Sequence, residues 1–237
     1  LALIAALALA ACSDTERGVG DAEVRVGTHV DLSGPLASWG VPVRNGLQMA
    51  FDEANAAGGV EGRMIRLYVE DNLYDPARAV AGVERLLSRD DVFAILAPLG
   101  TPTVHATLGR VMEARVLHLF PFTAARETYE PFDPLKFAIS VPYADMMRLG
   151  TLYFLRNKQA KRVCTLVQDD DFGGAVREGV EAALRIEGLT LALAAVFPRG
   201  ERNLSGQIAS LKGASCDLLV VGGAVHETVA ALEAAKT

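Results

Sequence analysis

The chain has 237 residues and a formal net charge of -6, and it is 51% hydrophobic and 22% charged. That apolar content suffices for a packed core, which excludes disordered, collagen-like and mini-protein classes, and the length allows one large domain or two small ones. The acidic balance, with runs such as Asp169-Asp170-Asp171 that repel phosphate, argues against nucleic acid as a partner; three cysteines are too few and scattered for a disulfide framework or a zinc site.

Residues 1–11 read LALIAALALAA, an apolar run far short of the ~20 residues a membrane-spanning helix needs. Small residues close the run and polar Cys12-Ser13-Asp14 follows it, the pattern of the core and cleavage end of a secretory signal. Leu9-Ala10-Ala11-Cys12 also resembles the bacterial lipobox, whose cysteine becomes the lipidated first residue of the mature protein. On that reading 1–11 is a partial signal peptide, Cys12 the lipidation site and 12–23 a polar tether. Several acyl chains on one residue would give stable membrane anchoring. No Met or basic leader precedes Leu1, so the sequence is expected to begin inside its signal peptide.

From Val24 onward, short β-type runs alternate with helical periods. A strand is expected over 24–30, then a helix over 42–57 with Val43, Leu47, Ala50, Phe51 and Ala54 on one face, Pro42 in its first turn and Gly58-Gly59 at its end. A strand over 65–69 leads to Asp75-Pro76, which caps a helix carrying Ala79, Val80, Val83, Leu86 and Leu87. Strands over 93–97 and 116–120 flank a helix around Val104, Leu108, Val111 and Met112. The cycle restarts with a helix near 144–156, a strand over 163–167, a helix over 175–187 stopped by Gly188, a strand over 190–197, a short helix near 205–211 and a strand over 218–221. Such alternation predicts parallel sheets covered on both faces, and AILA and LLVV read as doubly buried strands. The two series, joined near Pro142-Tyr143, predict two similar α/β lobes over 24–141 and 142–237. The second has only three strands and is expected to be incomplete.

Open parallel sheets bind ligands at the carboxyl ends of their strands. The loops at those ends are 31–41, 98–103, 121–123, 169–174 and 222–225. They hold Ser33, Gly34, Ser38, Gly100, Thr101, Thr103 and Thr123, with the aromatics Trp39, Phe122 and Phe172. Backbone N–H groups at a helix start, beside threonine hydroxyls, suit a carboxylate, and aromatics supply the apolar walls of a small-molecule cleft. The alternative for each residue is an ordinary turn or cap.

Phosphate-loop, dinucleotide-fingerprint and nucleophile-elbow motifs are absent from the sequence. His226-Glu227 lacks the second histidine of a zinc helix and reads as a solvated helix start. His29 and His118 fall on strands and read as satisfied core or strand-end residues. The run 169–171 reads as solvated loop and helix-start charge, because a hard-cation site needs several more oxygens. Cys164 and Cys216 lie near the starts of two strands that neighbour each other in a 2-1-3 order; a disulfide and two buried thiols both remain open. No catalytic set, metal or cofactor is expected.

Taken in order, Val26-Gly27, Leu32-Ser33-Gly34-Pro35, Trp39-Gly40, Asn45-Gly46, 53–60, Gly62-Arg63, Asp71, Asp75-Pro76, 99–103, Pro121-Phe122-Thr123, Gln168-Asp169-Asp170, Phe172-Gly173 and Gly222-Gly223 resemble the solute-binding proteins of branched-chain amino acid ABC importers. The resemblance runs over nearly the whole chain from Val24. It implies two hinge-joined Rossmann-like lobes, the type I periplasmic binding protein fold, closing on a ligand. It also implies that Leu99, Gly100 and above all Thr101 hold the ligand carboxylate, that Phe122 and Thr123 lie in the loop taking the ammonium and carboxylate, that Trp39 and Phe172 face the ligand from opposite lobes, and that Tyr143 sits at the crossover. The chain departs from the leucine-binding pattern in the bulkier Pro121-Phe122-Thr123-Ala124-Ala125 and in Ala224, where the prototype has an aromatic. The implied function is capture of a small carboxylate-bearing ligand, an amino acid or a related amide or organic acid, for delivery to a membrane permease. The protein would be a monomer on the periplasmic or extracellular face, anchored through Cys12. A ligand sensor of the same fold, an α/β enzyme and a structural lipoprotein are the rival readings.

Overall fold

In the computed structural model, which describes residues 16–236, strands and helices alternate and the strands gather into two sheets. The first takes β1 (Glu23–Val30), β2 (Met64–Asp71), β3 (Ala94–Leu96), β4 (Leu117–Leu119) and β5 (Lys136–Phe137) in the order β2-β1-β3-β4-β5. The second takes β6 (Val163–Gln168), β7 (Leu193–Phe197) and β8 (Leu218–Gly222) in the order β7-β6-β8. Every strand pair in both is parallel. Helices α1 (Ala37–Ala56), α2 (Pro76–Ser88) and α3 (Thr101–Glu113) belong to the first sheet. Helices α4 (Tyr143–Asn157), α5 (Asp171–Ile186), α6 (Ser205–Gly213) and α7 (Val225–Lys236) belong to the second. The architecture is the expected α/β one, two Rossmann-like lobes with helix-covered parallel sheets.

The central strand of the second lobe shows why this sequence demands cover on both faces. All six residues of β6 are buried, and alternation sends them to opposite sides. Val163 packs with Leu152 and Leu155 of α4 and Val180, Ala183 and Leu184 of α5. Cys164 and Leu166 pack instead with Phe197, Ile208 and Leu211. In the first lobe Val83 and Leu86 of α2 meet Ile95 of β3 and Val111 of α3, all fully buried. Each such side chain contributes about 1.5–3 kcal/mol on leaving water.

Caps set where helices begin. Asp75 accepts from the Arg78 N–H at 2.8 Å with Pro76 behind it, as its sequence predicts. Asp170 caps α5 through the N–H groups of Phe172 and Gly173 at 3.1 and 3.3 Å, so the run 169–171 supplies a helix-start charge as expected. The same junction recurs in both lobes. A Cβ on Gly40 would overlap the Asp31 carbonyl, and one on Gly173 would overlap the Gln168 carbonyl, so each helix presses its first turn onto the end of the preceding strand through a glycine.

Several expectations need correction. Helix α1 begins at Ala37, five residues before the expected start, and Pro42 lies inside it. The proline removes only the bond to the Ser38 carbonyl, and both residues are exposed, so water serves that carbonyl. Helix α5 begins at Asp171 rather than 175, because Asp170 caps it. Strand β5 and a 3₁₀ turn at Arg126–Thr128 went unforeseen, being too short to show a period. The end of the expected tether is docked: Gly18 accepts from the Arg25 N–H at 2.8 Å, Val19 bridges Val24, and Arg17 lies 3.3 Å from Asp91. The signal-peptide residues 1–11 and the lipidation site Cys12 lie outside the described residues. Among the described residues no helix is long and apolar enough to cross a membrane.

Cys164 and Cys216, 52 positions apart in sequence, form a disulfide with Cα atoms 5.9 Å apart. Strand pairing explains it: Cys164 sits at the start of β6, and Cys216 lies two residues before β8, which pairs with β6 from Val163↔Leu218 onward. Glu227 contradicts the solvated helix start; it is fully buried on α7, and neither carboxylate oxygen has a partner among the described residues.

Candidate ligand cleft

Strand ends from both lobes converge on one cavity of about 240 Å³. Leu36 and Trp39 reach it from the β1–α1 junction, Tyr74 from the loop after β2, Leu99, Gly100 and Thr101 from the junction after β3, and Phe122 from the loop after β4. The other lobe contributes Tyr143 at the start of α4, Gln168 at the end of β6, Phe172 in the first turn of α5, and Gly223 and Ala224 after β8. This is the carboxyl-end crevice that parallel sheets dictate, doubled because two sheets face it.

The first-lobe loops extend the sheet rather than hang from it. The Leu99 N–H donates to the His29 carbonyl at 2.9 Å, and the Phe122 N–H to the Pro98 carbonyl at 2.7 Å, so Leu99 and Phe122 bridge in parallel beyond the named strands. Gly100, with φ +102°, then starts α3, whose first N–H groups lack intrahelical partners.

Beneath that junction lies a buried polar network whose protons can be placed. The Asn72 Oδ1 accepts the Tyr74 N–H at 2.8 Å, which turns the amide NH₂ toward the His29 Nδ1 and the Leu99 carbonyl, each 3.1 Å away. His29 must therefore accept at Nδ1 and carry its proton on Nε2, 3.2 Å from the Thr107 hydroxyl, which itself donates to the Thr103 carbonyl at 2.9 Å. A second ring proton would face the Asn72 NH₂. Burial, and then the neighbouring His118, pull the His29 pKa down to about 3. His29 is thus a satisfied core residue, as expected. His118 is buried too, but both its ring nitrogens lack partners among the described residues, which corrects the expectation of a satisfied one. Burial, and then Lys136, lower its pKa to about 4.

The polar end of the cavity belongs to Thr101. Its Oγ1 lies 2.7 Å from the Thr123 Oγ1, and both side chains are buried. Thr123 Oγ1 also accepts the Ala125 N–H at 3.3 Å. With Thr123 donating its own proton to Thr101, the Thr101 hydroxyl proton is left to serve a ligand. The Gln168 Nε2 donates to the Tyr74 hydroxyl at 2.9 Å and also bonds Asp170. The Arg199 guanidinium stands 5.7 Å from the Tyr74 ring centroid and 3.9 Å from Asp170. Burial, and then the Asp170 charge, push the Tyr74 phenol pKa up, so it stays neutral. The walls are aromatic: Trp39 and Phe122 are 5.7 Å apart at 44°, and Tyr143 and Phe172 are 5.0 Å apart at 67°.

Of the residues singled out from sequence, Trp39, Leu99, Gly100, Thr101, Phe122, Tyr143 and Phe172 line this one cavity. Thr123 does not; it stands behind Thr101 as its hydrogen-bond partner. Trp39 and Phe172 lie in first helical turns rather than loops. Leu36, Tyr74, Gln168, Gly223 and Ala224 were not foreseen as site residues. Tyr74 was discoverable by applying the strand-end rule to β2, whose following loop was passed over.

A family model described as periplasmic binding protein matches residues 23–237. The chain belongs to that family. Among its relatives is the Leu/Ile/Val-binding protein BraC3 of Rhizobium johnstonii, 23% identical over 202 residues that make up 85% of this chain and 55% of that protein. A solved fatty acid ABC transporter substrate-binding protein from Thermomonospora curvata superposes with a TM-score of 0.84 at 24% identity, over 94% of this chain and 56% of that one. The branched-chain amino acid transporter substrate binding protein LivJ from Streptococcus pneumoniae, solved in complex with isoleucine, gives 0.77 at 22% identity, over 90% of this chain and 61% of that one. These structural likenesses show the periplasmic binding protein fold. The chain spans little more than half the length of the relatives it matches.

Proposed function

We propose that this chain is the ligand-capturing part of the substrate-binding component of an ABC importer, taking a small carboxylate-bearing molecule between two lobes and presenting the closed form to a membrane permease. The observation that carries the reading is the convergence of strand ends from both sheets on one cavity, with the Thr101 hydroxyl and the start of α3 at one side and aromatic walls around it. The named roles of the relatives support transport rather than catalysis.

On this reading the Thr101 hydroxyl and the N–H groups at the start of α3 take the carboxylate. Phe122, Trp39 and Phe172 enclose the body of the ligand, and Tyr143 stands where the chain crosses between lobes. Closure about that crossing, dividing lobes over 24–141 and 142–237, is a population shift whose extent is set by how much better ligand binds the closed form. The protein acts at the periplasmic or extracellular face as a monomer, held to the membrane through lipidated Cys12.

A thermal-shift screen of the intact protein against amino acids, short amides and organic acids tests this. A ligand at a hundredfold excess over Kd stabilises by about 2.7 kcal/mol, a readily measured rise in Tm. We expect a saturable shift with carboxylates that Thr101→Val weakens at least tenfold in apparent affinity. No shift with any compound would refute the reading.

A further inference from the structure

The cleft is far more aromatic than the chain that builds it. Five of its twelve lining residues are Trp, Tyr or Phe, in a chain where such residues are 6% of the total. They arrive from five different places: the start of α1, the loop after β2, the loop after β4, and the starts of α4 and α5. Chance adjacency in sequence cannot account for that convergence.

Resting on the binding reading above, we infer that the ligand is a carboxylate whose body is a single aromatic ring. Trp39 and Phe122 are 47% and 39% exposed, so their rings are not consumed by packing on each other. Tyr143 and Phe172 already meet edge to face, the geometry in which aromatic quadrupoles attract. A flat ring entering between these walls gains face and edge contacts that a saturated body of the same shape does not. At about 240 Å³ the cavity is on the scale of a small-molecule site and has room for one ring and a carboxylate. The Thr101 hydroxyl marks the carboxylate end, and the Tyr74 hydroxyl oxygen accepts from the Gln168 amide in the same cavity.

The test compares phenylacetate with its saturated counterpart cyclohexylacetate, with L-leucine, octanoate and uncharged benzyl alcohol, all titrated into the intact protein. Trp39 lines the cavity, so the fluorescence change on titration that is lost in Trp39→Phe reports occupancy. Phenylacetate is expected to bind at least tenfold more tightly than each of the others, and Phe122→Leu to reduce that advantage over cyclohexylacetate. A pocket that reads only hydrophobicity would favour cyclohexylacetate, the less water-soluble body. Leucine, octanoate or cyclohexylacetate binding as tightly as phenylacetate overturns the aromatic inference and leaves the binding reading standing. Benzyl alcohol binding equally well overturns the carboxylate in both. Binding of none of the five overturns the inference, while a thermal shift with some other carboxylate would still uphold the binding reading.

Discussion

The carboxamide of Gln168 donates to the hydroxyl of Tyr74 at 2.9 Å, joining the end of the central strand of one sheet to the loop after β2 of the other. Both side chains are buried where the two lobes meet, and Asp170 anchors the same amide from behind. If ligand binding is a closure, this bond belongs to the closed form. Tyr74→Phe removes one hydrogen bond, about 0.5–1.5 kcal/mol, and weakens ligand affinity roughly two- to tenfold. The Tm of the unliganded protein should move little. Calorimetric titration of the variant checks it, and an unchanged affinity would show that the contact does not respond to ligand.

The disulfide closes a long loop within the second lobe. In the chain-entropy account, joining residues 52 apart stabilises by about 4 kcal/mol. The double variant Cys164→Ala/Cys216→Ala should therefore unfold at markedly lower denaturant concentration. In the unreduced wild type neither Cys164 nor Cys216 should react with a thiol reagent. Reactivity of Cys164 or Cys216 in the unreduced denatured protein would contradict the bond.

Acid should destabilise the fold before carboxylates are engaged. His29 is held at about 3 and His118 at about 4, against an unfolded value near 6.5, so the unfolded chain binds more protons between those limits. Stability is then full above about pH 7 and falls as pH drops below 6.5, by up to about 1.4 kcal/mol per pH unit for each histidine. Asp71 adds its loss only below its usual carboxylate range. Burial raises it, but hydrogen bonds from Ser33, Leu32 and Leu73 outweigh that and hold its pKa low. Denaturant midpoints between pH 7 and 4.5 should fall steadily, and His118→Leu should flatten the slope; a flat wild-type profile would refute the account.

The Glu227 side chain is fully buried and its carboxyl oxygens have no partner among the described residues. A buried carboxylate so placed costs far more than it returns, so Glu227→Met, close in volume and apolar, should raise stability by about 1–3 kcal/mol. Its neighbour Gly223 lines the cleft, which makes ligand affinity the companion measurement. A drop in stability would mean that the carboxylate has a partner in the intact protein.

Most of the architecture was legible because its signals are periodic. The β6 run VCTLVQ, the Asp75-Pro76 cap and the amphipathic α2 each announce one element with one mechanism. What escaped lacks a period or obeys tertiary packing: β5 has two residues, and Pro42 is tolerated inside α1 only because Ser38 faces water. Residues that line the cavity at strand-to-helix junctions were legible because the junction rule points at them. The strand-end rule applied to β2 points at Tyr74, but that Gln168 bonds it from 94 residues away follows only from tertiary packing. For Thr123 the sequence marks a hydroxyl near the cleft, and only packing shows its bond to Thr101.

A crystal structure of the intact protein with the most strongly stabilising carboxylate tests the central claim most directly. Electron density for the ligand should fill the cavity between Trp39, Phe122 and Phe172, with a carboxylate oxygen within hydrogen-bonding distance, about 2.5–3.2 Å, of the Thr101 hydroxyl or the N–H groups at the start of α3. A ligand bound elsewhere, or one whose carboxylate points away from Thr101, would contradict it.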